Sequence, residues 1–251
     1  MARNLHSTGN KDFEMNQHNI LAIIPARGGS KGIPRKNIIE INGKPLIEYT
    51  IRAAKKTQLI SELVVSTEDP EIANICTELG CKVPFLRPAE LATDSTLSLP
   101  VIQHALKEVE TLNKQLYDII VMLQPTTPLR SSEDIDQGIS LLLETNADSV
   151  VSVVDVEGYH PFRMKRMIGD NQLINYIDQG FEDMRPRQTL PKVYLRSGAL
   201  YITRRDILLS KNSFIGDDCR GLIIPPERAI NIDTQADLKF AEYLLKSKNN
   251  G

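Results

Sequence analysis

The run Leu21-Ala-Ile-Ile-Pro25 gives way at once to Ala-Arg-Gly-Gly-Ser-Lys-Gly-Ile-Pro-Arg-Lys-Asn37, and this junction constrains the chain more than any other. An apolar run of that length reads as a buried strand, and Pro25 stops it. The loop that follows holds three glycines, a serine and the cations Arg27, Lys31, Arg35 and Lys36. Gly28, Gly29 and Ser30 have little side-chain bulk, so a turn there can present backbone N–H groups to an anion. Arginine offers phosphate a bidentate contact and lysine a point charge. The loop therefore suits a polyphosphate; the plainer alternative is a solvated basic turn. It is neither of the commoner phosphate loops. Gly28 is followed by Gly32 and then Ile33, which breaks Gly-x-x-x-x-Gly-Lys-Ser/Thr, and Gly-x-Gly-x-x-Gly is absent.

Strand-like and helix-like runs alternate along the rest of the chain, the pattern of a parallel sheet with crossover helices. Strands are expected at Leu21–Pro25, Leu63–Thr67, Lys82–Leu86, Tyr117–Gln124, Ser149–Val156, Gly198–Thr203 and Gly221–Ile224. Helices are expected at Pro45–Thr57, from Pro70 to Leu79 behind an Asp69 cap, at Ser98–Asn113, from Ser131 to Thr145, and from Thr234 to Lys246. Ser131 and Asp134 have the spacing of a capping box, with Asp in place of Glu. The pattern weakens between Glu157 and Lys192, where prolines, arginines and short polar turns dominate. That stretch is too long for a plain loop and reads as a small excursion or a dimer arm. The expectation is one α/β domain over residues 20–251, doubly wound and mostly parallel, with 157–192 as a dimerisation arm.

A chain of 251 residues can bury one sizeable core. Its net charge of −2 gives no support for nucleic-acid or membrane-surface binding. Cys76, Cys81 and Cys219 are too few and too scattered for a disulfide framework or a metal site. Residues 1–19 are polar and lack the apolar core of a signal peptide. They read as a disordered leader, or as sequence upstream of an alternative start at Met15, and the cytoplasm is the expected compartment. No apolar run reaches the roughly 20 residues that span a bilayer.

The loop motif Ala-Ile-Ile-Pro-Ala-Arg-Gly-Gly-Ser-Lys-Gly-x-Pro-x-Lys-Asn resembles the first motif of the CMP-sialic acid synthetases. These cytidylyltransferases activate nine-carbon 2-keto acid sugars. Five further motifs resemble the family's in order: Leu86-Arg-Pro-Ala-Glu-Leu-Ala-Thr-Asp94, Leu123-Gln-Pro-Thr-Thr-Pro-Leu-Arg130, Pro186-Arg-Gln-x-Leu-Pro191, Gly198-Ala-Leu-Tyr-Ile202 and Ile232-Asp-Thr234. The resemblance implies a nucleotide-diphospho-sugar transferase-like, Rossmann-like fold and a homodimer. It also implies transfer of CMP from CTP to a sialic-acid-like sugar, N-acetylneuraminate or legionaminate, with Mg²⁺ (or Mn²⁺) as cofactor. Pseudaminate and 3-deoxyoctulosonate are the alternative acceptors, and a non-catalytic nucleotide-binding protein is the alternative of another class.

By the same resemblance Arg27, Gly28, Ser30, Lys31, Lys36, Asn37 and Arg87 contact the nucleotide. Arg27, Lys36 and Asp233 carry the chemistry, and Asp233 with Asn231 holds the metal. Gln124, Arg163, Arg187, Gln188 and Tyr201 contact the sugar. Taken alone, Asn37 suits a turn, Arg87 a surface ion pair, Tyr201 the core and Asp233 a helix cap. Thr96 and Ser98 suit either a ligand contact or the cap of the next helix, and Arg35 a solvated site. No residue stands out as the general base: His160 and a metal-bound water or hydroxide are equal candidates. Two departures stand out. The family's usual Asp-Ile-Asp is Asn231-Ile-Asp233 here, so one carboxylate is replaced by an amide. The family's Arg-x-Asn before Gly198 is Leu195-Arg196-Ser197 here, which shifts the arginine by one place and in a regular strand would reverse its face.

Overall fold

The computed structural model describes residues 18–249. In chain order the elements are β1 (Ile20–Pro25), the hairpin β2 (Glu40–Ile41) and β3 (Lys44–Pro45), α1 (Leu46–Lys56), β4 (Glu62–Ser66), α2 (Pro70–Glu78), α3 (Ser98–Asn113), β5 (Ile119–Met122), α4 (Ser132–Thr145) and β6 (Ser149–Asp155). There follow the hairpin β7 (Lys165–Ile168) and β8 (Gln172–Asn175), then β9 (Tyr194–Arg204), α5 (Arg205–Ser210), β10 (Cys219–Ile223) and α6 (Gln235–Asn249). The main sheet has the order β10-β6-β9-β5-β1-β4. β1 runs parallel to β4 and β5, and β10 parallel to β6, while β9 is antiparallel to both β5 and β6. The sheet is thus mostly parallel, with β9 reversed near its centre. Of the leader expected over 1–19, only His18 and Asn19 fall within the described residues; Asn19 accepts the Asp118 N–H.

Both faces of the sheet are covered, as the unbroken apolar strands require. Alternation along β1 sends Ile20, Ala22 and Ile24 into one core, with Ile47, Ile51, Ile72, Ile135 and Ile139 from the helices. Leu21 and Ile23 enter the opposite core, with Ile102, Ala105 and Leu106 of α3. A third cluster joins Ile33, Ile41, Leu46, Leu129, Ile232, Ala241 and Leu245. It anchors the far end of the basic loop and the loop carrying Asp233 on α6. Each of the Ile and Leu side chains contributes about 1.5–3 kcal/mol on burial.

The helix starts follow their sequence signals. Asp69 accepts the Glu71 and Ile72 N–H groups, with Pro70 at the first helical position. Ser131 and Asp134 form the reciprocal capping box. Lys82–Leu86 does not form a strand. It makes only isolated bridges, Lys82 to Val64 and Leu86 to Thr67, because Pro84 between them has no N–H to give a ladder. β5 is shorter than expected, since the backbone of Tyr117 is held by the Glu110 carboxylate rather than by a strand. β9 begins four residues before Gly198. Within 157–192 the expected excursion contains the β7–β8 hairpin, which pairs with itself and stands apart from the main sheet. It leaves Met167, Leu173, Tyr176, Phe181 and Met184 exposed. No helix among the described residues is long and apolar enough to cross a membrane.

Candidate active site

A cavity of about 310 Å³ opens where β1 and β5 end. Arg27, Gly29, Ser30, Lys36 and Asn37 of the basic loop line it, facing Arg87, Thr93, Asp94, Thr96 and Ser98. Gln124 and the Asn231–Asp233 pair close the remaining side. In an α/β sheet this is the place for a ligand: the carboxyl ends of the strands leave loops free to converge.

Local chemistry sets the shape of the basic loop. Arg35 adopts a left-handed conformation (φ 55°), which starts a short 3-10 turn over Lys36–Ile38. Its guanidinium is partly exposed, and it is ion-paired with Asp69 and Glu71 at the head of α2. These carboxylates raise the Arg35 pKa, and Arg35 in turn holds the Asp69 carboxyl below the usual range. Asn37 is buried and donates to the Arg27 carbonyl at 2.9 Å, so it braces the loop as well as lining the cavity. Gly32 passes against the backbone carbonyl of Asp233, where an added Cβ would sit 2.7 Å from that oxygen.

The cations already have protein partners. Lys36 Nζ donates to the Ile232 carbonyl at 2.8 Å and lies 3.0 Å from Asp233 Oδ1. Arg27 donates to the Thr93 carbonyl and pairs with Asp94 at 3.1 Å. Lys31 pairs with the other Asp94 oxygen at 3.3 Å, but its side chain is 80% exposed and it does not line the cavity. The Gly28 N–H, expected to face a phosphate, is donated to Glu68 Oε1 at 2.7 Å. Gly28 also lies too close to the Asp69 carboxylate to carry a side chain. Its glycine character therefore serves loop packing, and Gly29 is the one that reaches the cavity. The second Glu68 oxygen accepts from Arg87 at 2.7 Å. Arg87 is buried, so the surface ion-pair reading fails for it. Neither Thr96 nor Ser98 caps α3, whose N-cap is Leu97.

Gln124 belongs to a second cavity as well, of about 400 Å³. Val154, Leu195, Arg196, Ser197, Gly198, Tyr201, Ala229 and Asn231 complete its lining. The two cavities thus share Gln124 and Asn231. Gly198 has φ +77°, and an added Cβ there would lie 2.9 Å from Gln124 Oε1. Only glycine permits both that conformation and that approach. The Gln124 backbone is fixed by Arg130. The buried guanidinium donates to the Gln124 carbonyl at 3.2 Å, to Thr127 Oγ1 at 2.8 Å, to the Ala199 carbonyl at 2.6 Å and to Thr50 Oγ1 at 2.7 Å. Burial pushes its pKa down to about 9, partly opposed by Asp134, so it stays charged at neutral pH.

Not every expected sugar contact reaches these cavities within one chain. Arg163 donates to the Arg185 carbonyl, Arg187 lies 4.0 Å from Glu157, and Gln188 sits on an exposed 3-10 turn. His160 is buried, with Nδ1 accepting the Phe162 N–H and Nε2 donating to the Pro191 carbonyl. It is a structural residue and lines neither cavity.

Residues 21–208 match the family model described as cytidylyltransferase. The chain belongs to the cytidylyltransferase family. Pseudaminic acid cytidylyltransferase of Campylobacter jejuni is 33% identical over 90% of this chain and 96% of its own length. CMP-N,N'-diacetyllegionaminic acid synthase of the same organism is 34% identical over 92% and 96%. A solved structure of CMP:2-keto-3-deoxy-manno-octonic acid synthetase complexed with CTP superposes with TM-score 0.67 over 92% of this chain and 99% of its own, at 18% identity. That likeness establishes the nucleotide-diphospho-sugar transferase fold for this cytidylyltransferase, a nucleotidyltransferase by family. Sequence reasoning missed Glu68, gave no role to Asp94 or Arg130, and treated Arg196 only as a departure. Asp94 and Arg130 each end a motif, which was the available signal; Glu68 carried none.

Proposed function

We propose that this cytidylyltransferase transfers CMP from CTP to the anomeric hydroxyl of a nine-carbon 2-keto acid sugar, releasing pyrophosphate. The observation that carries this reading is the pair of cavities joined at Gln124 and Asn231, one lined by the cations Arg27, Lys36 and Arg87 and the other by Arg196 alone among cations. The sugar hydroxyl oxygen attacks the α-phosphorus, the bond from that phosphorus to the bridging oxygen of the β-phosphate breaks, and the hydroxyl proton passes to solvent. Arg27 and Lys36 stabilise charge on the phosphates, and Gln124 at the junction orients the attacking sugar. The acceptors proposed are legionaminate, pseudaminate and N-acetylneuraminate; the first two are the sugars in the names of relatives at 33–34% identity.

The donors at Asn231 and Asp233 fit a Mg²⁺ ion. The Asp233 carboxylate is mostly exposed at the cavity rim, and Asn231 lies beside it, donating to Asp233 at 2.8 Å. Mg²⁺ needs only one or two protein oxygens when phosphates and waters supply the rest. The described residues contain no group of three His, Cys, Asp or Glu that could form an all-protein cage. When bound, the ion would neutralise phosphate charge. Asp233 would hold it, with the Asn231 side-chain oxygen as second donor. We also propose that the protein is a homodimer built through the apolar side chains exposed on the β7–β8 arm, and that it works in the cytoplasm.

The test is pyrophosphate release from CTP with a panel of legionaminate, pseudaminate, N-acetylneuraminate and 3-deoxyoctulosonate. Release with a nine-carbon acid bears out the reading. Release only with the eight-carbon acid moves the acceptor, and CTP binding with no release favours a nucleotide-binding protein.

A further inference from the structure

The second cavity holds a single charged side chain. Its other lining residues are Gln124, Val154, Leu195, Ser197, Gly198, Tyr201, Ala229 and Asn231, none of which carries charge at neutral pH. Arg196 is exposed. Unlike Arg27, Arg35 and Arg87, it forms no ion pair with any described residue. An arginine without a carboxylate partner on the wall of an otherwise neutral cavity is a ready fork for a ligand's anion.

The backbone explains how it comes to be there. Val151 of β6 pairs with Tyr201 of β9, but Val153 pairs with Arg196. Two steps along β6 therefore correspond to five along β9, three more than an unbroken ladder. The surplus residues bulge between Arg196 and Tyr201 and include Gly198 with its positive φ. The Ser152 hydroxyl fills the gap in the ladder: it accepts from the Ser197 hydroxyl at 2.7 Å and from the Leu200 N–H at 2.8 Å. Regular alternation does not apply across such a bulge. Arg196 and Tyr201 lie opposite Val153 and Val151, two places apart on β6, so they line the same cavity despite the odd number of steps between them.

We propose that Arg196 binds the carboxylate of the acceptor sugar and so selects 2-keto acids over neutral sugars. The inference rests on the acceptor assignment of this second cavity. It gives the carboxylate a partner within the same chain, whereas Arg163 and Arg187 lie on the arm and line neither cavity.

The experiment compares wild type, Arg196→Ala and Arg196→Lys with the preferred acceptor of the panel and with its carboxamide, alongside calorimetric titration with CTP. For Arg196→Ala the KM for the acid should rise about tenfold or more while CTP affinity stays within twofold. Arg196→Lys should fall between, because a point charge replaces the fork. Wild type should prefer the acid to the carboxamide, and Arg196→Ala should lose that preference. An unchanged KM, or undiminished preference for the acid in Arg196→Ala, overturns the inference while leaving the function standing. Loss of the preference in Arg187→Ala instead assigns the carboxylate to the arm and also overturns it. Failure of wild type to turn over any acceptor overturns the functional reading, and this inference with it.

Discussion

Lys36 Nζ lies 3.0 Å from Asp233 Oδ1, although 197 positions separate them in the chain. The cation assigned to phosphate and the carboxylate assigned to the metal therefore neutralise each other in the free protein. A metal–triphosphate complex would replace both halves of that pair at once.

Contact couples the two residues, so each is tested by its own readout. Lys36→Ala should weaken CTP binding about tenfold or more, through loss of a charge-assisted contact. Asp233→Asn should lower turnover on the order of a hundredfold at ordinary Mg²⁺ with the fold intact, and Asn231→Asp should be tolerated. Calorimetry with CTP and rates across a Mg²⁺ series read the two effects. Near wild-type turnover for Asp233→Asn would remove the metal assignment.

Asp94 occupies Arg27 and Lys31 in the free protein, at 3.1 and 3.3 Å. All three side chains are partly or largely exposed, so each pair is worth roughly 0.2–1 kcal/mol. Asp94→Asn should free both cations and tighten CTP binding about two- to tenfold, measured without acceptor. Weaker binding that recovers with added Mg²⁺ would instead show Asp94 to be a metal ligand.

Arg130 should be the costliest single residue around the junction. Arg130→Met leaves the Gln124 and Ala199 carbonyls and two hydroxyls without their buried donor. A loss of about 3 kcal/mol in urea denaturation is expected. Activity of the folded fraction should drop as well, because the Gln124 turn loses its tether. A variant as stable as wild type would mean that the site relaxes around the change.

Acid stability should depend on Asp69. Arg35, first through its hydrogen bond, holds the Asp69 carboxyl below its ordinary value, and the α2 N–H groups add to this. The unfolded chain therefore binds the proton more readily. The contribution is fully present above the unfolded carboxylate range near pH 4 and is lost as pH falls through the lower folded value. Asp69→Asn should flatten the decline of stability below about pH 4. An unaltered acid limb in the variant would count against the Arg35–Asp69 link.

The arm supplies the assembly test. Met167 and Leu173 pair across β7 and β8, and both are exposed. Changing both to Asp should convert the dimer to monomer in sedimentation while the main sheet stays folded. Wild type that sediments as a monomer at working concentration would end the dimer proposal.

The fold was legible where local chemistry and tertiary packing agree. Asp69-Pro70 and the Ser131/Asp134 box carry their own helix starts, and the run Leu21–Pro25 reads as a buried strand, which the structure extends to Ile20. Lys82–Leu86 misled because its apolar alternation looks like a strand while Pro84 denies it a ladder. The basic loop could be read as anion-binding from its glycines and cations, but its individual site residues came from the family resemblance, and of those Gly28 and Lys31 do not line the cavity. Counter-ions were hidden: Glu68 is an ordinary acidic residue in sequence, and only the fold brings it to Gly28 and Arg87. Arg196 looked misplaced because a count by twos assumes an unbroken ladder, and the surplus residues of β9 are invisible until β6 lies beside it.

β9 also has a consequence for the order in which this molecule can be assembled. Strands β4, β1 and β5 pair with one another using residues 20–122 alone, and β6 pairs with β10, but only β9 touches both groups. A nascent chain that has emerged only as far as residue 190 therefore carries a three-stranded piece and a β6 that packs on it through α4 but has no strand beside it. Synthesis of Tyr194–Arg204 closes the sheet. The same stretch brings Gly198 against Gln124, so the molecule acquires its central sheet and the wall of its second cavity in one late step.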